Sequence, residues 1–161
     1  MKGFEFMFLA VGSVFGAFLR YKITESPLLF NTLPLNVLIV NIIGAFILGI
    51  FIVISEQWNL DGRYSLLAAV GFCGSLTTMS SFALDSSNLL DNQHYLTLAI
   101  NIMTNVGLSI GALIVGKSIM TAIVNGWLVI GTILFVGFPS NGLVGIFTIS
   151  YLVHHLGMEQ N

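Results

Sequence analysis

The stretch Gly71-Phe72-Cys73-Gly74-Ser75-Leu76-Thr77-Thr78-Met79-Ser80-Ser81-Phe82 decides how this chain folds. It places glycines and a run of hydroxyl side chains inside an otherwise apolar segment. In a lipid bilayer, a backbone that leaves helical geometry exposes N–H and C=O groups, so it persists only where it contacts protein, water or an ion. The stretch therefore predicts a broken membrane helix that handles an ion.

The composition of the whole chain requires a membrane around this break. Hydrophobic residues make up 56% and charged residues only 7% of the 161 residues, whereas a soluble domain has about 25% charged residues. The mean hydropathy is +0.96. A net charge of −2 excludes a strongly basic nucleic-acid-binding protein, and the single Cys73 excludes an intrachain disulfide. We expect an all-α, multi-pass integral protein of the cell membrane, with its first helix retained rather than cleaved as a signal peptide.

Charged residues divide this chain into candidate spans. A helix needs about 20 apolar residues to cross the hydrocarbon core. Four transmembrane helices are predicted, and the third contains the break. They lie at residues 6–19 with their flanks, 33–54, 64–84 and 92–116. In the fourth, Gly107 and Gly111 are four residues apart and predict a face for close helix packing.

The carboxyl-terminal part of the chain forms a separate prediction. We divide the chain into a membrane domain, residues 1–117, and an extra apolar segment, residues 118–161. Residues 118–138 are long enough for a fifth transmembrane helix, which the turn-like Pro139-Ser140-Asn141-Gly142 would end. Residues 143–156 are too few for an ordinary span. The alternatives are therefore a re-entrant segment, an interfacial helix and a short helix that crosses a thinned bilayer.

The basic residues give almost no bias in orientation. With four spans, Lys2, Arg63 and Lys117 lie on one side of the membrane, and Arg20 and Lys22 lie on the other. A chain with so small a bias is able to insert in both directions. Two opposed copies would then pair as an antiparallel dimer, which is a hypothesis at this point.

Polar side chains inside the predicted spans need partners in the bundle. The Asn41 amide, at mid-helix, either bonds a neighbouring helix or donates to an anion. Asn101, Asn105 and Ser109 recur every fourth residue and form one polar stripe, which suits both helix pairing and a path for an ion. Phe82 is either a packing residue or a ring edge that faces an anion.

Three stretches of the chain resemble, in order and spacing, the Fluc (CrcB-like) fluoride channels. They are Gly12-Ser13-Val14-Phe15-Gly16-Ala17-Phe18-Leu19-Arg20-Tyr21, Val40-Asn41-Ile42-Ile43-Gly44-Ala45-Phe46-Ile47-Leu48-Gly49, and the break from Gly71 to Phe82. The third stretch is the most specific. The resemblance covers about residues 4–117 of the chain.

This resemblance implies a fluoride-selective channel rather than an enzyme. The channel would export fluoride passively from the cytoplasm as an antiparallel, dual-topology homodimer with two pores, or with a paralogous chain as the second subunit. The positions that match the pore are Asn41, Met79, Ser80, Ser81, Phe82, Asn101 and Asn105. Arg20 matches a vestibule arginine, and the backbone carbonyls of Gly74 and Thr77 match those that hold a structural sodium ion at the dimer interface.

The chain also departs from the pattern of these channels. Met79 replaces the first of two pore phenylalanines, Ser75 replaces a glycine of the break, and Val37 replaces a hydroxyl residue. Asp85 stands where a glutamate is usual. In the fourth helix, two asparagines stand where the family commonly has a tyrosine and a serine. Hydrogen-bond donors are kept, but the distance of the donor from the backbone changes.

Other functional classes fit the sequence less well. A small dual-topology multidrug exporter needs a carboxylate at mid-membrane, whereas Glu5, Asp85 and Asp91 lie at or near the ends of spans. An enzyme would need a catalytic cluster, and the adjacent His154 and His155 point apart on a helix. A membrane subunit without transport activity is the third alternative.

Overall fold

The computed structural model describes residues 3–25, 29–30 and 33–136, with the side chains of residues 3–25 and 33–127. The chain divides into two compact units, Met1–Thr121 and Ala122–Asn161. The helices and strands are α1 (Gly3–Glu25), β1 (Leu29–Phe30), β2 (Leu33–Pro34), α2 (Leu35–Gln57), α3 (Gly62–Ser65), a π-helix (Leu66–Cys73), α4 (Gly74–Leu76), α5 (Met79–Asp91) and α6 (Tyr95–Val136).

Four helical segments of the described chain are long and apolar enough to cross a membrane. They are Gly3–Glu25, Leu35–Gln57, Gly62–Asp91 and Tyr95–Trp127. The predicted all-α membrane fold is therefore confirmed. The sequence did not predict the short antiparallel ladder between α1 and α2, in which Leu29 pairs with Pro34 and Phe30 pairs with Leu33.

The third span is interrupted within the predicted stretch. Asp61 caps its start by accepting a hydrogen bond from the Arg63 N–H at 2.9 Å, and α3, the π-helix and α4 follow without a gap. The backbone is then extended at Thr77 and Thr78, with ψ angles of 155° and 114°, before α5 continues the span. The break thus occupies two residues rather than the whole glycine- and serine-rich stretch.

Glycines allow α1 to touch the backbone of the π-helix. Gly12 and Gly16 are buried, and a Cβ at either position would overlap a backbone oxygen of the π-helix, from Leu67 or Phe72. A Cβ at Gly71 would in turn lie 2.9 Å from the Leu9 oxygen. Small residues let membrane helices approach this closely, so the first motif of the sequence fixes the position of the broken span.

The packing of α2 on α6 uses other glycines than the predicted pair. A Cβ at Gly49 would overlap the Leu113 oxygen, and one at Gly116 would overlap the Phe46 oxygen. Among the described residues, nothing lies within 4 Å of a Cβ built at Gly107 or Gly111. The prediction of a packed face at Gly107 and Gly111 is wrong for the single chain, because their side of α6 is turned away from the stripe that contacts α2.

The predicted fourth and fifth helices are continuous. Helix α6 runs for 42 residues, from Tyr95 to Val136, and passes Lys117 without interruption. Lysine is a good helix former, so its charge does not end a helix as glycine or proline can. The segment predicted as a fifth helix is thus helical as far as Val136, but it continues the fourth helix and does not begin separately at Ser118. The predicted turn at Pro139 and residues 143–156 lie outside the described residues.

We expect Gly116→Ala to destabilise the folded protein by about 1 to 3 kcal/mol, because the new methyl group must displace the α2 backbone. The matched variant Gly126→Ala adds the same methyl group to the same helix, at a position where nothing in the described part of the chain lies within 4 Å of the new Cβ, and should be neutral or stabilising by up to about 1 kcal/mol. Thermal unfolding in detergent compares the two. Equal losses would contradict this account of the packing.

Candidate ion pathway

A cavity of about 360 Å³ lies between α2, the break and α6. Its polar lining includes Asn41, Thr78, Asn105 and Ser109, and its apolar lining includes Phe82. Among the described residues, no charged side chain lines it. The cavity is therefore apolar and electrically neutral, with a few converging hydrogen-bonding groups.

Asn41 connects the break to α6. It is the seventh of the 23 residues of α2 and so lies in the first third of that helix, not at mid-helix as the sequence suggested. Its Oδ1 accepts a hydrogen bond from the Thr78 N–H at 2.9 Å, and its Nδ2 donates to Asn105 Oδ1 at 3.1 Å. Among the described residues, its second amide N–H has no acceptor. The Asn41 side chain therefore pairs with other helices, as one sequence alternative proposed, and keeps one donor for a ligand.

The predicted stripe on α6 forms a hydrogen-bonded chain. Asn105 Nδ2 donates to the Asn101 side-chain oxygen at 2.9 Å and to the Asn101 backbone oxygen at 3.1 Å. Asn101 Nδ2 in turn donates to Ser86 Oγ at 3.2 Å. Asn101 is 1% exposed and Asn105 is 5% exposed. Sequence reasoning found both asparagines but missed Ser86, because no local pattern indicates its contact with α6.

Ser109 ends the stripe with an unpartnered hydroxyl group. Its Oγ is buried and has no hydrogen-bond partner among the described residues, yet Ser109 lines the cavity. Buried polar groups almost always have a partner, so an exception needs an explanation. The sequence placed Ser109 on the stripe but not among the pore residues, and the cavity adds it to the candidate site.

The hydroxyl groups of the break mainly serve the start of α5. Thr78 is the N-cap, and its Oγ1 accepts from the Ser81 N–H at 3.2 Å and donates to Ser81 Oγ at 3.1 Å. Ser80 Oγ lies 3.2 Å from the same hydroxyl. The two serines predicted for the pore are thus bonded to Thr78. A threonine just before a helix is a recognisable capping signal, and it could have been assigned from sequence.

Met79 and Phe82, the two predicted apolar pore residues, both line the cavity. Their exposure differs, since Met79 is 74% exposed whereas Phe82 is 8% exposed. Phe82 therefore forms part of the packed wall, and Met79 projects from the surface of the single chain. The structure brings both to the same cavity as Asn41, and their role in a pore stays a prediction.

The predicted vestibule and sodium residues meet at the break. Arg20 Nη1 donates to the Thr77 backbone oxygen over a long 3.5 Å. In an unbroken helix the Gly74 carbonyl would accept from the Thr78 N–H, but that N–H donates to Asn41 instead. The break therefore frees the Gly74 carbonyl and leaves the Thr77 carbonyl with only the long bond from Arg20 of α1.

A known protein family matches most of this chain. Residues 7–117 match the family described as "CrcB-like protein, Camphor Resistance (CrcB)". This range contains all of the predicted site residues, and it ends where the extra carboxyl-terminal segment was predicted to begin. The proposed division into two domains at this point stays a prediction.

Individual proteins from other organisms are also similar to this chain. The "Fluoride-specific ion channel FluC" of Nitrosopumilus maritimus is 80% identical over 125 residues, which cover 78% of this chain and 99% of that protein. A protein of the same name from Methanococcus maripaludis is 38% identical over 114 residues, covering 70% and 93%. Another, from a Sulfurihydrogenibium species, is 41% identical over 108 residues, covering 65% and 87%.

Proposed function

Because the chain belongs to the CrcB-like family, whose relatives are named fluoride-specific ion channels, it is a fluoride channel in the membrane rather than an enzyme, and we propose that it exports fluoride from the cytoplasm. Export is passive and follows the electrochemical gradient. The functional unit is an antiparallel homodimer with two pores. The observation that carries the pore assignment is the neutral cavity that holds the free amide N–H of Asn41 and the unpartnered Ser109 hydroxyl.

The chemistry of the cavity suits a small anion. Moving a carboxylate-sized ion from water to low dielectric costs on the order of 20 kcal/mol, so donors must replace the lost hydration. Amide N–H and hydroxyl groups donate without a full charge, which allows the ion to bind and to leave. Proton-coupled drug export, the alternative function, would need a carboxylate here, and the described lining has none.

The other candidate residues take supporting roles in this proposal. Phe82 and Met79 form the apolar constriction that strips water, and the ring edge of Phe82 offers a partial positive charge. Ser80 and Ser81 hold the start of α5 through Thr78. Asn105 belongs to the polar wall of the cavity, whereas Asn101 does not line the cavity and holds Asn105 from behind. Arg20 attracts anions to the mouth of the pore.

We expect purified protein in liposomes to release fluoride rapidly and chloride far more slowly. Asn41→Asp should slow fluoride release by at least about tenfold, because it removes the free donor and adds a negative charge to the path of an anion. A fluoride electrode measures the release.

Asn59→Asp is the matched control for this experiment. It makes the same chemical change in the exposed turn between α2 and α3, where Asn59 has a φ of 45° that aspartate also tolerates. This variant should conduct like the unchanged protein. Folded wild-type protein without fluoride release would refute the channel function.

The antiparallel dimer is supported by the balance of basic residues and by the open face of α6. Three basic residues on one side against two on the other give little preference for either orientation. Gly107 and Gly111 leave room for another helix to approach. The exposed Met79 beside the cavity also leaves space for a second chain to complete the pore wall.

Single cysteines at opposite ends of the spans test the dual topology. Gln57→Cys, at the end of α2, and His94→Cys, between α5 and α6, lie on opposite sides of the membrane and are exposed. An impermeant thiol reagent applied to whole cells should label about half of each variant. The unchanged chain gives the background, because its Cys73 is buried. Full labelling of one site and none of the other would show a single orientation.

The carbonyls of Gly74 and Thr77 are suitable ligands for a structural sodium ion. The break frees the first from its helix partner, and the second has only the long contact with Arg20. Backbone carbonyls are common ligands of monovalent cations. One chain offers two of them, so a second, symmetry-related copy would supply four in total. We therefore propose that the ion is held between the two chains.

We expect the dimer to unfold at a higher temperature in sodium chloride than in potassium chloride of equal ionic strength. A cation at 100 times its Kd adds about 2.7 kcal/mol of stability, which raises the melting temperature by several degrees. Thermal unfolding in detergent measures this shift without any assay of transport. Identical melting temperatures in the two salts would contradict the sodium site.

A further inference from the structure

We propose that Asn105 is a positioning residue that acts on the ion through Asn41, and that Asn101 and Ser86 hold Asn105 in place. This inference rests on the proposed fluoride pathway and deepens it. It assigns two of the pore asparagines to the orientation of a third rather than to direct contact with fluoride. It also brings into the pathway Ser86, a residue outside the predicted site.

The direction of the hydrogen bonds is fixed at two points. The Thr78 backbone N–H is only a donor, so the Asn41 oxygen must face the break and its nitrogen must face α6. The Asn101 backbone oxygen is only an acceptor, so the Asn105 nitrogen must face Asn101. The Asn105 oxygen is then left for the Asn41 nitrogen, as the 3.1 Å contact requires.

This arrangement of hydrogen bonds occupies both N–H donors of the Asn105 side chain. Its two N–H groups have two acceptors, the backbone and side-chain oxygens of Asn101. Asn105 is also 5% exposed. It therefore has no donor left to offer an anion unless the chain of amides breaks, and leaving an Asn101 oxygen unpaired at this depth would be costly.

The same order prepares Asn41 for an anion. Its oxygen accepts from Thr78 while its nitrogen donates to Asn105, so both ends of the amide are held and its second N–H points in one direction. Hydrogen bonds that run in one direction polarise each other. The chain from Thr78 to Ser86 thus orients the free donor of Asn41, and the bond that the Asn41 oxygen accepts from Thr78 strengthens that donor.

A double-mutant cycle tests whether Asn105 acts through Asn41. Asn105→Leu keeps the size of the side chain but not its polar atoms, and should slow fluoride release from liposomes about tenfold. In a protein that already carries Asn41→Ala, the same change should alter the rate less than twofold, because there is no amide left to position. Equal effects in both backgrounds would mean a direct contact with fluoride or a general structural defect, and would overturn the proposal.

The side-chain NMR signals of Asn41 give a second readout that needs no transport. The two amide protons of Asn41, assigned by their loss in Asn41→Ala, should have well-separated shifts, one of which moves when fluoride is added. Asn105→Leu should reduce the separation, whereas Ser109→Ala should not. An unchanged Asn41 spectrum in Asn105→Leu would refute the positioning role even in a chain that conducts. Failure of wild-type conduction would refute the proposed function alone.

Two neighbouring serines provide a matched pair of variants for the far end of the hydrogen-bonded chain that begins at Thr78. Ser86→Ala removes the acceptor of Asn101 and should slow fluoride release by a factor of two to five, whereas Ser87→Ala changes an exposed neighbour and should have no effect. The Ser86→Ala effect should also disappear in the Asn41→Ala background. Equal rates for the two serine variants would remove Ser86 from the proposal.

Discussion

The hydrogen bond from the Thr78 N–H to Asn41 Oδ1, 2.9 Å long, is the interaction on which the rest of the described structure depends. Without it, the break would leave a backbone N–H unpaired in an apolar environment, at a cost of about 1 to 3 kcal/mol. The same bond frees the Gly74 carbonyl, fixes the orientation of Asn41 and lets Thr78 begin a new helix. One interaction thus joins the irregular backbone to the polar wall.

Close packing by glycines brings the partners of this bond together. Gly44 lies beside the Thr77 methyl group, so a larger residue one turn below Asn41 would push α2 away from the break. Gly12 and Gly16 hold the π-helix against α1 on its other side. An amide side chain reaches only a few ångströms from its backbone, and these contacts set that distance. The glycine-rich motifs of the first two spans are therefore as necessary for the proposed pathway as its polar residues.

The sequence predicted the parts of this fold that depend on local pattern and failed for those that depend on which faces meet. Hydropathy was enough to predict four spans, and the hydroxyl-rich stretch was enough to place the break. The choice of Gly116 over Gly107 for packing depends on the rotation of α6, which its nearly uniform hydrophobicity does not reveal. The contact of Ser86 with Asn101 and the π-helix arise from tertiary packing, for which the chain carries no local signal.

In the proposed pathway, amides rather than charges would let one cavity both select and release an anion. A buried lysine would bind fluoride strongly and hold it, and a carboxylate would repel it. Asparagine offers both a donor and an acceptor, so a series of asparagines can satisfy one another and leave only a few donors free. Among the described side chains that line the cavity, those donors are one N–H of Asn41 and the Ser109 hydroxyl. So few neutral donors favour passage of the ion over tight binding. They replace only part of the hydration that the ion loses, so the ion is never held by a complete set of ligands.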